Sequence, residues 1–591
     1  MRRICITLAA VLMFGFLAGI SSAAMAPVQL KLLLPAGYLP QVPMLVRVEA
    51  LNGQGKPERG LWNGEVVLST DQPGVTLSTN LMTLRNGRGS ALVLVNGSGD
   101  FTLTAVQGAL LATRLIVDRS AEPFVEVGGT LTGGSTTWSG IVLVTNDVTV
   151  PAAHTLTILS NTMVLLNGVS SGNTANDLLI SGSIQSMGTE LHPVTVTCAQ
   201  PDRRWGQIRH NNARASLYRH TTITRAGRGQ GEGHTGTTPV IRPTNSKVTF
   251  EYCSLTDFAE ASGTPGKVAQ SNGSDLTFVD CLFQRARMGP EISGSALACT
   301  NTWILDMNGL DDADGIYLHD QAAGQEITLS GCVLAVGGDD GIDTLGSVIT
   351  VEDCIVRDWN SVVEDAKGIS VFSGATHVWR SLIVDCTVGI AAKTSASASV
   401  LVTINNSTLH GNLTNVLAQF KSSAPGPNVD YRITNCIMWG EDSVQSDFAE
   451  TNFTIRYCNI SEPWPGDGNT MADPMFVDAA MHDFRLLPYS PSIDSGDPAS
   501  ALDRDTSPAD QGAFTFNPPP PVLSGPQVLA DGTSRFLLNA YTNRSYVVEA
   551  SPDAATWTFL KTVSQPAESN LVTDPTATGV KHRFYRVRLA P

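Results

Sequence analysis

Charge is scarce in this chain. Only 16% of its residues are charged, well under the usual ~25%. The basic share is smaller still, 38 Lys+Arg against 54 Asp+Glu, for a net charge of −16. Binding nucleic acid needs basic surface to displace counterions from phosphates, so this balance argues against a nucleic-acid partner. Aromatics are few, at 6%. Beyond residues 4–20 no apolar run approaches the ~20 residues of a membrane span. Ten cysteines occur without one Cys-X-X-Cys spacing, which argues against a structural zinc site. Hydrophobic residues, at 42%, are ample for a core, so the chain is not disordered. Its 591 residues suggest three or four domains, or fewer if one is a large all-β unit.

Residues 1–24 read as a secretory signal: Arg2 and Arg3, an apolar run, then Ser22-Ala23-Ala24 before the cut. An exported bacterial protein is expected, at the cell surface, in the periplasm or outside the cell. Residues 25–119 hold seven short β-rich runs broken by Asn52-Gly53, Asn63-Gly64, Asn86-Gly87 and Asn96-Gly97. Asn-Gly supplies the positive φ of tight turns, and this spacing predicts a sandwich. A plain spacer role is favoured for it. Asn517-Pro-Pro-Pro-Pro521 is a stiff linker. It leads to 522–591, where apolar and polar residues alternate as in a second small β-sandwich.

Between 216 and 460 one pattern recurs. A small residue stands at Thr221, Cys253, Cys281, Thr302, Cys332, Cys354, Ser381, Ser407, Cys436 and Cys458. Two positions after each comes an apolar residue, from Ile223 to Ile460, and three before it another, from Tyr218 to Ile455. A repeat of 21–32 residues with period-2 alternation and no heptads means a coil of short strands. Each coil buries its side chains only against the coils above and below, at about 4.8 Å per layer. Small residues fit where the chain bends inward, and loops vary in length outside. The reading is all-β: a right-handed parallel β-helix over 120–516, flanked by two small β-sandwich domains, with the hand taken from the preference of parallel crossovers. A second column is expected at Glu291-Ile292, Gly315-Ile316, Gly341-Ile342, Gly368-Ile369, Gly389-Ile390 and Asn415-Val416. Six cysteines lie in the small-residue column; parallel Cβ vectors there favour buried, reduced thiols over disulfides.

Three resemblances follow from these residues. The first sandwich resembles the immunoglobulin-like modules of bacterial surface proteins, and 522–591 resembles the small C-terminal modules of secreted multidomain bacterial proteins. The segments Trp138-Ser-Gly-Ile141, Val148–Ile158, Asp339-Asp-Gly-Ile-Asp343, Lys367-Gly-Ile-Ser370 and Asp473–Asp478 make 125–515 resemble secreted right-handed β-helix proteins of the pectin-lyase-like superfamily.

The richest constellation of polar groups spans three coils: Asp306, Asp311, Asp312, Asp314, His319 and Asp320, then Asp339, Asp340 and Asp343, then Glu364, Asp365 and Lys367. Aligning the Gly-Ile column puts Asp314, Asp340 and Lys367 in one file and Tyr317, Asp343 and Ser370 in another. Stacked carboxylates repel, so one pKa rises or a cation binds between them. The Asp-Gly-Ile at 314–316 and Gly-Asp-Asp-Gly at 338–341 resemble the Asp motifs of polygalacturonase-type glycosidases. The resemblance implies acid and base roles for Asp314, Asp339 and Asp340, although that family's Gly-His-Gly and Arg-Ile-Lys segments are absent. A second reading is β-elimination on a uronate, with Lys367 as base and Ca²⁺, a hard cation, at oxygen-rich Asp311 and Asp312. Tyr317, His319 and Asp343 would touch the sugar. A third reading makes the Asp-Gly clusters ordinary turn chemistry. The basic stretch Arg203–Arg228 reads as a solvated face, with a cradle for anionic polysaccharide as its alternative. The resulting expectation is a secreted protein that engages polysaccharide or a cell-surface glycan, as hydrolase or lyase on acidic polymers. The alternative is a non-catalytic surface or matrix binding protein.

Overall fold

The computed structural model describes residues 26–590, save 259–265, 310–311, 361–365, 396–398, 421–428, 448–451, 504–505, 518–520, 541–544, 565–568 and 581. The signal segment, Asp311, Glu364, Asp365 and most of the Pro-rich linker lie outside the described residues. No α-helix occurs among the described residues; two 3₁₀ turns, Ala479–Met481 and Pro575–Ala577, interrupt the strands.

The centre is a parallel β-helix with three strands per coil. In one coil these are Lys247–Glu251 on face 1, Ser254–Thr256 on face 2 and Gly266–Asn272 on face 3. Face 1 stacks into a 13-stranded sheet, while faces 2 and 3 together form a 25-stranded sheet. Every pairing within both is parallel, from Phe124–Thr130 against Ile141–Val150 to Ile437–Trp439 against Asn459–Ile460.

Both apolar columns read from the sequence are in register. Leu255, Phe283, Ile304, Leu334, Val356, Ile383, Leu409, Met438 and Ile460 stack one above another on face 2. Phe250, Phe278, Cys299, Leu329, Val351, Val378, Ile404, Ile433 and Ile455 do so on face 1. Tyr218, Phe250 and Phe278 stack their rings with centroids 4.6 and 5.2 Å apart.

The small-residue column occupies the corner between faces 1 and 2. The residue just before it is left-handed in ten successive coils: His220, Tyr252, Asp280, Asn301, Gly331, Asp353, Arg380, Asn406, Asn435 and Tyr457, with φ between 42° and 67°. That turn swings the next side chain inward against backbone. Cys253 Sγ donates to Tyr218 O at 3.3 Å and Cys354 Sγ to Leu329 O at 3.5 Å, each in the coil before. At Thr302, Ser381 and Ser407 the column's hydroxyl accepts from the backbone N–H of the corner residue in the coil before, as Ser381 Oγ does from Cys354 N at 3.1 Å. A larger side chain has no room there. The nine described cysteines are all buried and free of disulfides.

The second column holds from Ile316 through Ile342, Ile369 and Ile390 to Val416, but not at its first member. Glu291 pairs with Tyr317 and Ile292 with Leu318, and Gly289, not Glu291, lies against Gly315.

The N-terminal unit is an eight-stranded sheet wrapped around Val46, Val48, Leu84, Val93 and Leu103. It packs on the helix. Arg47 donates to Cys253 O and Asp280 O, Arg88 to Asn301 O, and Arg59 to Asp353 O. These carbonyls mark successive corners, so the unit grips the file of turns. Trp62 packs with Leu282, Trp303, Leu305, Val333, Ile355 and Leu382 of face 2, and Phe484 of the segment after the last coil completes the cluster. The outer side of face 2 is therefore apolar and covered. The C-terminal unit is two three-stranded antiparallel sheets around Phe536, Leu538, Tyr546, Val548 and Val572.

Candidate functional site

With face 2 covered, face 3 is where the chemistry-bearing residues gather. Its strands alternate. Ile316, Leu318, Ile342, Thr344, Ile369 and Val371 point inward and are buried. The residues between them point outward and form a file: Arg209, Arg242, Gln270, Glu291, Tyr317, Asp343 and Ser370. Two positions on, a second outward file holds Ser293, His319, Leu345, Phe372 and Lys393.

The carboxyl cluster sits where the chain turns from face 2 into this strip. Oxygens of Asp314, Asp340 and Asp343 lie within 4.8 Å of one another. Lys367 Nζ is 3.8 Å from Asp340 Oδ1; Lys393 Nζ is 3.6 Å from Asp340 Oδ2 and 3.9 Å from Asp343 Oδ1. The backbone N–H of Lys367 donates to Asp340 Oδ1 at 2.9 Å, and Ser370 Oγ to Asp343 Oδ1 at 2.6 Å. Asp314 is 2% exposed and Asp340 4%. Burial, then the neighbouring charges of Asp343, Asp340 and Asp339, push the Asp314 carboxyl well above its ordinary range. Burial carries Asp340 up to about 7 against the pull of Lys367 and Lys393. It carries Asp339 up to about 6, with Lys367 opposing and Asp343 adding. The cluster thus holds carboxyls able to carry a proton near neutrality.

One coil away lies an ion pair that the sequence reading missed. Lys267 and Glu291 are fully buried and paired at 2.6 Å. His319 bridges Glu291 at 3.3 Å and Asp320 at 2.7 Å, and Glu291 first, then Asp320, raises its pKa against the effect of burial. Burial alone would raise Glu291, but His319 and Lys267 outweigh it and hold the carboxyl low. Tyr317 lies beside both His319 and His234, its ring centroid 4.9 Å from each. Burial and then the charges of Asp343 and Glu291 raise its phenol.

Of the residues anticipated for the site, Asp314, Asp340, Asp343 and Lys367 come together, and Asp339 shares their field. Tyr317 and His319 stand on the same strip, one and two positions along. Asp312 is not one of the trio; it pairs with His234 at 2.8 Å and its charge adds to those that raise Asp314. Among the described residues, the carboxyls close enough together to share a cation are Asp314, Asp340 and Asp343; Asp311 lies outside the described residues. Two lysine ammoniums already stand within 4 Å of it, supplying the positive charge that stacked carboxylates need.

The basic stretch is not a single solvated face. Arg204 is buried and donates to Asp257 O at 2.7 Å. Arg214 ties His154 O at 2.8 Å, Arg219 pairs with Glu251 at 2.7 Å, and burial drives His210 down to about 3. These side chains mostly stitch coil to coil.

No protein-family model and no curated protein matches the chain. Among solved structures, it is similar to PfbA, a surface adhesin of Streptococcus pneumoniae, with 10% identity over 56% of this chain and 86% of that one at a TM-score of 0.27. It is also similar to the tailspike protein of E. coli bacteriophage HK620 in complex with a pentasaccharide, with 10% identity over 78% and 86% at a TM-score of 0.30. No described helix is long and apolar enough to cross a membrane.

Proposed function

We propose that this is an exported protein that engages polysaccharide along the outward strip of face 3 and cleaves it with the carboxyls at the strip's edge. The observation that supports this is the in-register file Glu291–Tyr317–Asp343–Ser370, which sets an aromatic ring and a carboxylate on adjacent rungs beside the Asp314–Asp340 pair. Within the file Glu291, Tyr317 and Ser370 are buried and Asp343 is half-buried, so a polymer would meet it chiefly at Asp343. Asp343 and Asp339, less buried than Asp314 and Asp340, are the carboxyls within reach of a sugar. Asp339, at about 6, would give the leaving oxygen its proton, and Asp343, held by Ser370 and Lys393, would activate water. Asp314, Asp340 and Lys367 would then position and tune these two from behind. Elimination on a uronate uses the same base but leaves an unsaturated product. Lys367 and Lys393 provide charge compensation in this account, so EDTA is expected to leave activity unchanged; a Ca²⁺ requirement would transfer that role to the metal.

A second reading, glycan or cell-surface binding without cleavage, is favoured by the near-complete burial of Asp314 and Asp340. The experiment that separates them incubates the full chain with pectic, alginate and other uronate polymers. New reducing ends or ultraviolet absorbance from an unsaturated sugar, lost in Asp343→Asn and Asp339→Asn, support cleavage. Polymer binding without product supports the second reading, and neither binding nor product overturns both.

A further inference from the structure

A second ligand site lies away from face 3. Where the N-terminal unit meets the helix, a cleft of about 420 Å³ runs along the corner file past His220, Tyr252, Asp280 and Asn301. These four belong to successive coils, so the cleft extends about 14 Å at ~4.8 Å per rung. That is the scale of ligand pockets and long enough for an oligomer.

Its charge is opposite to that of the chain. The N-terminal unit lines it with Lys31, Arg47, Lys56, Arg59 and Arg88, against three carboxylates from Glu49, Glu190 and Asp280. Glu49 is shared by Arg47 and Arg88, and Lys31 takes Glu190 at 2.8 Å. Arg59 has no carboxylate partner among the described residues; its guanidinium donates to Asp353 O at 2.8 Å and Cys332 O at 3.4 Å. Among the described residues, the buried Nε atoms of Arg47 and Arg59 have no hydrogen-bond partner. A buried donor left unpaired is destabilising, and a ligand acceptor would relieve it. A patch with excess positive charge and low-dielectric walls concentrates anions. On the helix wall, His220 and Tyr252 stack at 4.8 Å and 11°, and Tyr252 is 48% exposed. An exposed flat ring offers apolar area to the C–H face of a sugar, and the cations beside it offer charge-assisted hydrogen bonds to acidic groups.

We propose that this interdomain cleft binds an acidic oligosaccharide, its sugar face on Tyr252 and its carboxylate or sulfate groups toward Arg59 and Lys56. The site is separate from face 3, and its occupancy does not depend on cleavage there. Trigalacturonate and a sulfated trisaccharide stand for the two anion sources, and neutral maltotriose is the control. Calorimetric titration of the full chain is expected to show binding of an acidic probe, weakening with added salt, and none of maltotriose. Arg59→Gln and Tyr252→Ala should each weaken it tenfold or more. Lys56→Gln, on an exposed side chain, should weaken it severalfold and keeps the test open if Arg59→Gln does not fold. Tyr317→Ala on face 3 should leave the cleft's affinity unchanged. No binding of either acidic probe, or binding insensitive to the Lys56 and Tyr252 changes, overturns the proposal. Loss on Tyr317→Ala alone would overturn it while upholding a glycan site on face 3.

Discussion

At the scale of single residues, the corner position is the most demanding in the molecule. Its side chain must fit between a left-handed turn and the backbone of the coil before. Cys354→Ser keeps both size and donor and should cost no more than about 1 kcal/mol, the worth of one ordinary hydrogen bond. Cys354→Leu overpacks the corner and should cost about 1–3 kcal/mol, read as a lower urea midpoint at unchanged slope. Asp340 makes a different prediction. Its folded pKa, about 7, is raised above the ordinary carboxylate value. The folded state therefore holds a proton that the unfolded state has released, and this stabilisation is complete below about pH 4 and lost as pH climbs through 7. Asp340→Asn keeps an acceptor for the Lys367 N–H and removes the titration. The decline in melting temperature between pH 4 and 7 should be shallower in the variant than in the parent. An unchanged slope would show that Asp340 is ionised throughout.

At the scale of the coil, the buried Lys267–Glu291 pair links one rung of face 3 to the next. Removing one partner leaves a charge without compensation, so Lys267→Met should destabilise by about 3–5 kcal/mol. The double variant Lys267→Met/Glu291→Leu should recover much of that loss in denaturant unfolding. This pair also marks where the sequence ceased to be legible. The small-residue corner and the two apolar columns could be read because each coil repeats them. The second column slipped by two residues at Glu291 because side chains alternate with period 2; such a shift keeps every residue on its own side of the sheet. The cue that breaks the tie is Gly289, whose Cβ would strike Gly315 O. The Asp314–Asp340–Asp343 cluster was legible because it rides on that column. His234 was not, since it comes from the segment between Arg228 and Thr237 whose path no periodicity records. Its ring reaches Asp312 across 78 residues of sequence. Nor could the docking of the N-terminal unit be read, since Trp62 and Arg59 sit between strands with nothing to mark their partners.

At the scale of the whole molecule, covering one face decides which others can serve. Face 2 presents Trp303, Leu305, Val333 and Ile355 outward, and such a surface in water would be a large apolar patch. The N-terminal unit and the segment around Phe484 bury it, leaving the polar strip of face 3 and the basic cleft at the junction as the surfaces with chemistry. All of this depends on the rungs stacking in register. Thr277, Ala298, Thr328, Thr350, His377, Thr403, Arg432 and Thr454 form one outward file on face 1. Spin labels on cysteines introduced at Thr277 and Thr403, five rungs apart, should be separated by about 24 Å between backbone positions, and labels at Thr277 and Thr454, seven rungs apart, by about 34 Å. Pulsed electron–electron resonance that gives these two narrow, proportionate distances upholds the winding; broad distributions, or distances that do not grow with rung number, would contradict it and every site built on it.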